Sequence, residues 1–298
     1  MSDTLESLRR KIEGAGDLES VVRSMKALAA ASIGQYEKSV LALADYYRTV
    51  ELGLVVCLRN RGKNVHEVTE RSGTAVMPVN AVVFGSDQGL VGQFNDQMAD
   101  FAAKTLHALP GEKKVWAVGE RIHARMTDAG FPPVGLFAVP TSVNAITHLV
   151  GQLLIESEAH HGKREIVHLY LFHNRPAAGA AYEPVSQRLL PLDEKSELKL
   201  AHLPWPTKNL PEVIGGEETT LRALVGEYLF VSIYKACAES LASENASRLA
   251  AMQRAEKNID ELVEDLNQKF RRLRQSSIDE ELFDVLAGYE SGSKLEAR

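Results

Sequence analysis

The sequence predicts an α/β protein: a central Rossmann-like parallel-sheet domain between two long terminal helices that pair as an antiparallel coiled coil. All 11 prolines fall between Pro78 and Pro211. Because proline inside a helix costs about 3 kcal/mol, both ends of the chain are free to form long helices. Apolar residues also recur at steps of three or four at both ends, whereas the centre alternates β-rich and helical runs.

The C-terminal helix is the more strongly predicted of the two. Between Glu217 and Ala287 the sequence has no proline and a single glycine, and Gly288 follows as a typical stop signal. We therefore predict a coiled-coil helix over 212–288 and a tail over 289–298. Its apolar positions form a heptad-like seam: Leu249, Met252, Ala255, Ile259, Leu262, Leu266, Phe270 and Leu273.

The N-terminal segment, 1–58, has the same character, with Leu5, Leu8 and Ile12 opening its apolar seam. Gly14 and Gly16 interrupt it, and each glycine in a helix costs about 1 kcal/mol, so a break or kink is allowed there. Two long seams at opposite ends of a chain can bury each other by pairing antiparallel. Two internal helices of a large all-α domain would show the same pattern, but the length without a breaker favours helices that project.

The centre, 76–211, is predicted to be a mostly parallel sheet covered by helices on both faces, because strands and helices alternate along it. The predicted strands are Val79–Phe84, Lys114–Val118, Gly135–Val139 and Ile166–Phe172, with Tyr182–Leu190 as an added edge strand. The predicted helices are Asp96–His107, Glu120–Ala129 and Ser142–Glu158. Asp193–Pro211 is predicted to be a connecting loop.

Composition limits the functions that the chain can have. The net charge of −6 argues against a nucleic-acid-binding surface. Two distant cysteines, Cys57 and Cys237, give no disulfide framework and indicate reduced thiols. No uncharged run approaches the roughly 20 residues of a membrane span, and the N-terminus has neither a signal-peptide nor a transit-peptide pattern. We therefore expect no direct membrane span.

The segment GSDQGLVGQFN, residues 85–95, follows the first predicted strand and precedes a helix. Glycines at such a position could cradle a phosphate. The spacing of Gly85, Gly89 and Gly92 is not GxGxxG, however, and no GK[ST] is present. A tight strand-to-helix turn is the favoured interpretation, and a nucleotide site stays open as the alternative. The histidines show no metal-ligand spacing, so neither a metal nor a cofactor is expected.

Three segments together resemble the gamma subunit of F-type ATP synthases. RSMKALAAAS (Arg23–Ser32) is similar to the family pattern KAMKMVAASK, and residues 85–95 are similar to SDRGLCGGFN. Most specific is ESLASENASRLAAMQRAEKNIDELVEDL, followed by RQSSIDEELFDVLAG, over Glu239–Leu266 and Arg274–Gly288. These match LASExAARMxAMxxAxxN and RQxxITxELxEIVxGA in the family's order. Departures such as Val91 and Gln88 in the glycine-rich turn indicate a diverged lineage.

The resemblance implies a non-catalytic central stalk. In the family, the coiled coil threads a ring of alpha and beta subunits, and the α/β domain sits at the foot, against the epsilon subunit and the membrane ring of c subunits. Rotation of this shaft couples proton or sodium ion transport to ATP synthesis or hydrolysis. The chain would thus be a peripheral membrane protein of the CF(1) complex, and the absence of a transit peptide favours the cytoplasmic face of a bacterial inner membrane.

The resemblance also implies which side chains contact the surrounding subunits. Met25 and Lys26 match the place where the family's N-terminal helix meets loops of the catalytic subunits. Arg248, and Arg274 with Gln275, match polar contacts on the C-terminal helix. Arginine suits such a role because its guanidinium can bind carboxylates and carbonyls in two places at once. Exposed helix charges of little consequence are the plain alternative. A coiled-coil scaffold without a rotary partner is the alternative for the whole chain.

Overall fold

The computed structural model of the protein describes residues 4–60, 77–159, 168–177, 180–191, 205, 207, 209, 211–214 and 216–296. Helices at both ends flank an α/β region. The elements are α1 (Leu5–Ala42), α2 (Ala44–Asn60), β1 (Val79–Phe84), α3 (Phe94–Ala108), β2 (Lys113–Val118), α4 (Glu120–Asp128), β3 (Gly135–Phe137), α5 (Val143–Ala159), β4 (His168–Ala177), β5 (Ala180–Leu190) and α6 (Glu217–Glu296).

The chain divides into two compact units. Residues 29–248 form the larger unit, which holds the sheet, and residues 1–28 with 249–298 form the smaller one. α1 and α6 each contribute to both units.

The sheet of the larger unit has five strands in the order β3-β2-β1-β4-β5. All neighbouring strands are parallel except β4 and β5, which are antiparallel. β1 lies at the centre with all six residues buried. This explains its almost continuously apolar sequence, VNAVVF, since a central parallel strand has no solvent-facing side. The predicted mostly parallel sheet with an added edge strand is confirmed, and the structure shows that this edge strand is antiparallel.

The two faces of the sheet bury separate apolar clusters. Val82 and Phe84 of β1 point to one face, and Val79, Ala81 and Val83 point to the other, as the two-residue period of a strand requires. α3 and α4 cover the second face with Met98, Ala102, Leu106, Ile122 and Met126. α5, α2 and parts of α1 and α6 cover the first face with Tyr36, Leu54, Ile146, Val150, Ile233 and Leu241.

Within the larger unit, the N- and C-terminal helices pack antiparallel. The Tyr46 hydroxyl donates to Glu227 Oε2 at 2.6 Å, and the Tyr47 and Tyr228 rings lie 6.0 Å apart. Further along α2, Gly53 lies beside the Leu224 side chain. The residue numbers on α6 fall as those on α2 rise, which is the antiparallel direction. Gly53 has no side chain, so Leu224 can approach the backbone of α2.

Within the smaller unit, α1 and α6 also run antiparallel. Lys26 Nζ lies 2.5 Å from Glu256 Oε2. Glu19, about two turns closer to the N-terminus of α1, borders the same groove as Val263 and Asn267 of α6. Leu8 and Ala15 of α1 and Met252 and Leu266 of α6 are buried. The predicted fold class, with long terminal helices that pair antiparallel and a central α/β domain with a mostly parallel sheet, is therefore confirmed.

The structure adds three helix details. α1 continues without a break through Gly14 and Gly16, where the sequence allowed one, because an isolated glycine weakens a helix without ending it. α6 extends to Glu296 rather than stopping at Gly288 as predicted, for the same reason. Leu43, where the sequence predicted no break, separates α1 from α2, although Leu43 O still accepts a hydrogen bond from Tyr47 N at 2.8 Å.

Some predictions fall outside the described residues. They include the beginning of the predicted strand Ile166–Phe172 and most of the predicted loop Asp193–Pro211. The division into 1–58, 76–211, 212–288 and 289–298 stays a prediction.

Candidate functional site

The glycine-rich turn after β1 is held by its own side chains. Asn95 Oδ1 accepts from Ser86 N at 3.0 Å, and Asn95 Nδ2 donates to Ser86 Oγ at 2.8 Å. A Cβ at Gly85 would overlap both Ile122 and Asn95. Leu90 has a φ of 61° and Gly92 a φ of 58°, so the turn uses the left-handed region twice. The predicted tight strand-to-helix turn is what the structure contains.

The N-terminus of α4, where an α/β protein could bind a phosphate, is occupied by Asp87. Its Oδ1 accepts from Glu120 N at 3.0 Å, and its Oδ2 accepts from Val139 N at 2.9 Å. One carboxylate therefore joins the turn after β1 to the beginning of α4 and to the segment after β3. Arg121 N donates to Ser86 O at 3.0 Å, so the first two N–H groups of the helix already have partners and a carboxylate stands where a phosphate would bind.

The crevice at the carboxyl ends of β1 and β4 is filled by α6. In open α/β sheets this crevice, where the strand order reverses, is the usual ligand site. Here Ser243 Oγ donates to Asn174 O at 3.1 Å, and Ser247 Oγ donates to Val91 O at 2.6 Å. Both serines are buried. A protein helix thus lies where a nucleotide would bind, which argues against the nucleotide-binding alternative.

An ionic cluster with a buried histidine at its centre and two half-exposed basic side chains at its edge lies next to these serines. His173 Nε2 lies 2.8 Å from Glu239 Oε2, and Arg175 and Lys235 lie 3.7 and 3.9 Å from the same carboxylate. Burial lowers the pKa of His173, although Glu239 opposes this. Burial raises the pKa of Glu239, but the hydrogen bond with His173 and the nearby positive charges outweigh it and leave that pKa lowered. An ionised Glu239 only accepts, so a neutral His173 donates from Nε2.

Arg248, a predicted contact residue, forms an ion pair within its own helix. Its Nη2 lies 2.6 Å from Glu244 Oε1, and only 14% of its side chain is exposed. The other carboxylate oxygen, Glu244 Oε2, is buried and has no hydrogen-bond partner among the described residues. Burial raises the pKa of Glu244, Arg248 partly opposes this, and Asp87 adds to it. Both side chains border a cavity of about 240 Å³ that also meets Asp87 and Asn245.

Met25 and Lys26, the predicted contacts on α1, lie in the smaller unit and are half-buried. Lys26 binds Glu256 on α6, and Arg23 Nε lies 3.9 Å from the same carboxylate. Arg23 also pairs with Glu19 one turn away. Lys26 therefore has an acidic partner within the chain, which the sequence did not reveal.

Arg274 and Gln275, the predicted contacts near the end of α6, are both exposed. The same stretch of α6 carries a group of exposed apolar side chains: Ile278, Leu282, Phe283, Val285 and Leu286. Among the five predicted contact residues, Met25 and Lys26 are neighbours in sequence, and so are Arg274 and Gln275. No hydrogen bond or ion pair in the described part of the structure joins these pairs to one another or to Arg248.

Two absences among the described residues bear on other functions. No group of three or more histidine, cysteine, aspartate or glutamate side chains in the described ranges is placed to hold a metal ion. No helix in that part of the chain is both long enough and apolar enough to span a membrane.

Comparison with known proteins defines the class first. The family model described as ATP synthase matches residues 4–291, which include both terminal helices and the sheet. The chain therefore belongs to the ATP synthase family.

Individual relatives identify the kind of subunit within that family. The chain is 28% identical to an "ATP synthase gamma chain" of Nostoc punctiforme, covering 96% of this chain and 98% of the relative. It is 22% identical to the "ATP synthase gamma chain" of Hydrogenobaculum sp., with 95% and 97% covered. The predicted resemblance to gamma subunits is confirmed, and the gamma subunit is a structural subunit of the synthase complex.

Solved structures support the fold. A chain from the rotor of the Euglena gracilis mitochondrial ATP synthase matches with a TM-score of 0.61 at 16% identity, covering 92% of this chain and 98% of that one. A chain from the central stalk and c-ring structure of Tetrahymena thermophila matches with a TM-score of 0.55 at 20% identity, covering 79% and 99%. At these sequence identities the matches show that the architecture is shared, and nothing more.

The sequence did not reveal the polar contacts between α6 and the sheet. Glu239, Ser243 and Ser247 are spaced four residues apart. The signal that could have found them is this repeat of polar residues along one face of the helix. Their partners lie 66 to 156 residues away in sequence, so spacing alone could not identify them.

Proposed function

We propose that the chain is the central rotor stalk of a rotary F-type ATP synthase and carries torque between a membrane ring of c subunits and the catalytic subunits. The observation that supports this most directly is the family match over residues 4–291, which takes in the α/β region and both antiparallel helices together. A shaft needs torsional stiffness and unlike faces towards its neighbours, and a pair of different helices provides both.

The partners in this proposal are the alpha and beta subunits around the helices, and the epsilon subunit and c ring at the α/β domain. Met25, Lys26, Arg248, Arg274 and Gln275 are the proposed contacts. Arg274 and Gln275 are exposed and free to reach a neighbour. Arg248 and Lys26 hold carboxylates of their own chain, so any contact with a neighbour would be made by the donors that these ion pairs leave available.

The complex is proposed to work at the cytoplasmic face of a bacterial inner membrane, as a peripheral CF(1)-type assembly that transports hydrogen or sodium ions during ATP synthesis. The proposed functional segments are the helices 1–58 and 212–288, the α/β domain 76–211 and the tail 289–298. The chain itself would hold no catalytic site and no cofactor.

Purification of the tagged chain from its own cells tests this function. We expect alpha, beta and epsilon chains to copurify in fixed stoichiometry, together with an ATPase activity that the isolated chain lacks. Copurification with unrelated proteins, or recovery of a chain without ATPase subunits, would support a coiled-coil scaffold instead.

A further inference from the structure

Three polar side chains on one face of α6 bind the ends of the central strands. Glu239, Ser243 and Ser247 stand four residues apart, so they follow one another along a single face of the helix. Glu239 binds His173, Ser243 binds the carbonyl of Asn174, and Ser247 binds the carbonyl of Val91. We refer to Glu239, Ser243 and Ser247 with these partners as the polar joint.

The polar joint connects α6 to more than one element of the α/β region. His173 and Asn174 belong to β4, whereas Val91 lies in the turn after β1. Asn174 Nδ2 also donates to Phe94 O, at the beginning of α3, at 3.3 Å. Tyr182 of β5 makes a further side-chain hydrogen bond with Ser247. The helix is thus attached to two neighbouring strands and, through them, to the rest of the sheet.

Directionality distinguishes this joint from the apolar packing around it. Apolar contacts are non-directional. They therefore offer only weak resistance when a helix rotates about its own axis. Hydrogen bonds weaken steeply when donor and acceptor move out of line. A twist of α6 moves its side chains sideways across the sheet, which misaligns all three contacts together. Ser243 is fully buried and Ser247 is 6% exposed, so water cannot readily replace the lost bonds.

We propose that the polar joint is the element that transmits torque from the α/β domain to α6, with Ser243 and Ser247 as its positioning residues. This inference rests on the proposed rotor function. It assigns a mechanical role to serine side chains that are buried within the chain itself, and it makes a prediction that depends on load.

The test compares buried serines of α6 in the assembled synthase. Ser243→Ala with Ser247→Ala removes the hydrogen bonds that the two hydroxyls donate to Asn174 O and Val91 O, and the contact of Ser247 with Tyr182. Ser240→Ala is the matched control: Ser240 is 3% exposed on the same helix, and its hydroxyl has no hydrogen-bond partner within the described part of the chain. Each lost bond should raise the population of the detached joint about fivefold, measured as faster hydrogen exchange of the amides around Ser243.

Load separates a mechanical role from a purely structural one. With no ion gradient, we expect the double variant to hydrolyse ATP at the wild-type rate. Against a rising gradient, the ions moved per ATP should fall below the wild-type value, whereas Ser240→Ala should behave as wild type. Equal coupling of wild type and double variant at every gradient would overturn the inference, as would equal loss in Ser240→Ala.

Two variants of equal shape check that the hydroxyl is responsible. Ser247→Thr and Ser247→Val add similar bulk at one site, but only threonine keeps the donor. We expect coupling under load to be higher in Ser247→Thr than in Ser247→Val, and equal loss in both would contradict the inference. If the wild-type chain itself fails to assemble or to couple, the proposed rotor function fails instead, so the two failures are distinguishable.

Discussion

Single polar residues distinguish this α/β domain from a ligand-binding one. Asp87 occupies the N-terminus of α4, and Asn95 closes the glycine-rich turn. The preference for a tight turn over a phosphate site could be predicted because the glycine spacing does not match a nucleotide motif. The pairs His173–Glu239 and Ser247–Val91 could not be predicted, because only the folded chain brings such distant residues together.

Replacement of the buried acid Glu244 tests the electrostatics at this scale. Burial and Asp87 hold the pKa of Glu244 above its ordinary value despite Arg248, so the folded chain binds a proton more tightly than the unfolded chain. This contribution to stability is full below the ordinary glutamate pKa and is lost as the pH rises through the raised value. We therefore expect Glu244→Gln, which keeps the shape of the protonated acid, to gain stability relative to wild type as the pH rises through that value.

Urea denaturation of both proteins between pH 4 and pH 8 measures the difference. The stability of Glu244→Gln relative to wild type should increase as the pH rises from 4 to 8. Glu280→Gln, at an exposed position of the same helix, serves as the control and should show little difference from wild type. A Glu244→Gln variant that loses stability increasingly as the pH rises would contradict the assigned direction of the pKa.

At the scale of elements, periodicity predicted most of the structure. β1 begins and ends at the predicted residues, and the helix Glu120–Asp128 differs from its prediction by one residue. The placement of the prolines in the sequence predicted which parts of the chain are the long terminal helices and which part contains the sheet. Helix ends were less predictable, because a glycine such as Gly288 ends a helix only where the backbone turns into the left-handed conformation or tertiary contacts end there.

The glycines of α1 give an element-scale prediction. Gly14 and Gly16 are exposed inside a continuous helix, and a Cβ added at either would meet nothing within 4 Å. Alanine lowers the conformational entropy of the unfolded chain and suits a helix, so Gly14→Ala and Gly16→Ala should each stabilise the isolated chain by about 0.5–1 kcal/mol. Thermal unfolding followed by circular dichroism would show this as a higher Tm.

Gly119→Ala is the opposite case and serves as the contrast. Gly119 has a φ of 116°, and a Cβ there would lie 2.8 Å from the backbone of Ser86. This variant should lower the Tm, because an alanine strains the backbone in that conformation. If Gly14→Ala and Gly16→Ala also lowered the Tm, α1 would not be a regular helix at those positions.

At the scale of the whole molecule, the fold class and the family resemblance agreed with what the structure and the comparisons show. The residues proposed to contact other subunits form a separate question, because their partners lie outside the chain. Arg274 and Gln275 offer the clearest test of these contacts, since both side chains are exposed and lie far from the polar joint in sequence.

Replacement of Arg274 and Gln275 together by alanine should leave the helicity of the isolated chain unchanged, because alanine is the best helix former. In the complex, losing an arginine contact at a buried interface costs about 2 kcal/mol, which weakens association about thirtyfold. Assembly and ion pumping by reconstituted complexes would measure this. Arg222→Ala, with a side chain that is 82% exposed on the same helix, is the control, and equal coupling in all three proteins would remove these two residues from the contact set.

Observation of rotation tests the central claim most directly. A bead fixed to the α/β domain of this chain, in a complex whose catalytic subunits are attached to a surface, should turn steadily in one direction while ATP is hydrolysed. A bead that stays still or only fluctuates during continued ATP hydrolysis by the intact complex would contradict the account, because the chain would then be a fixed part of the assembly.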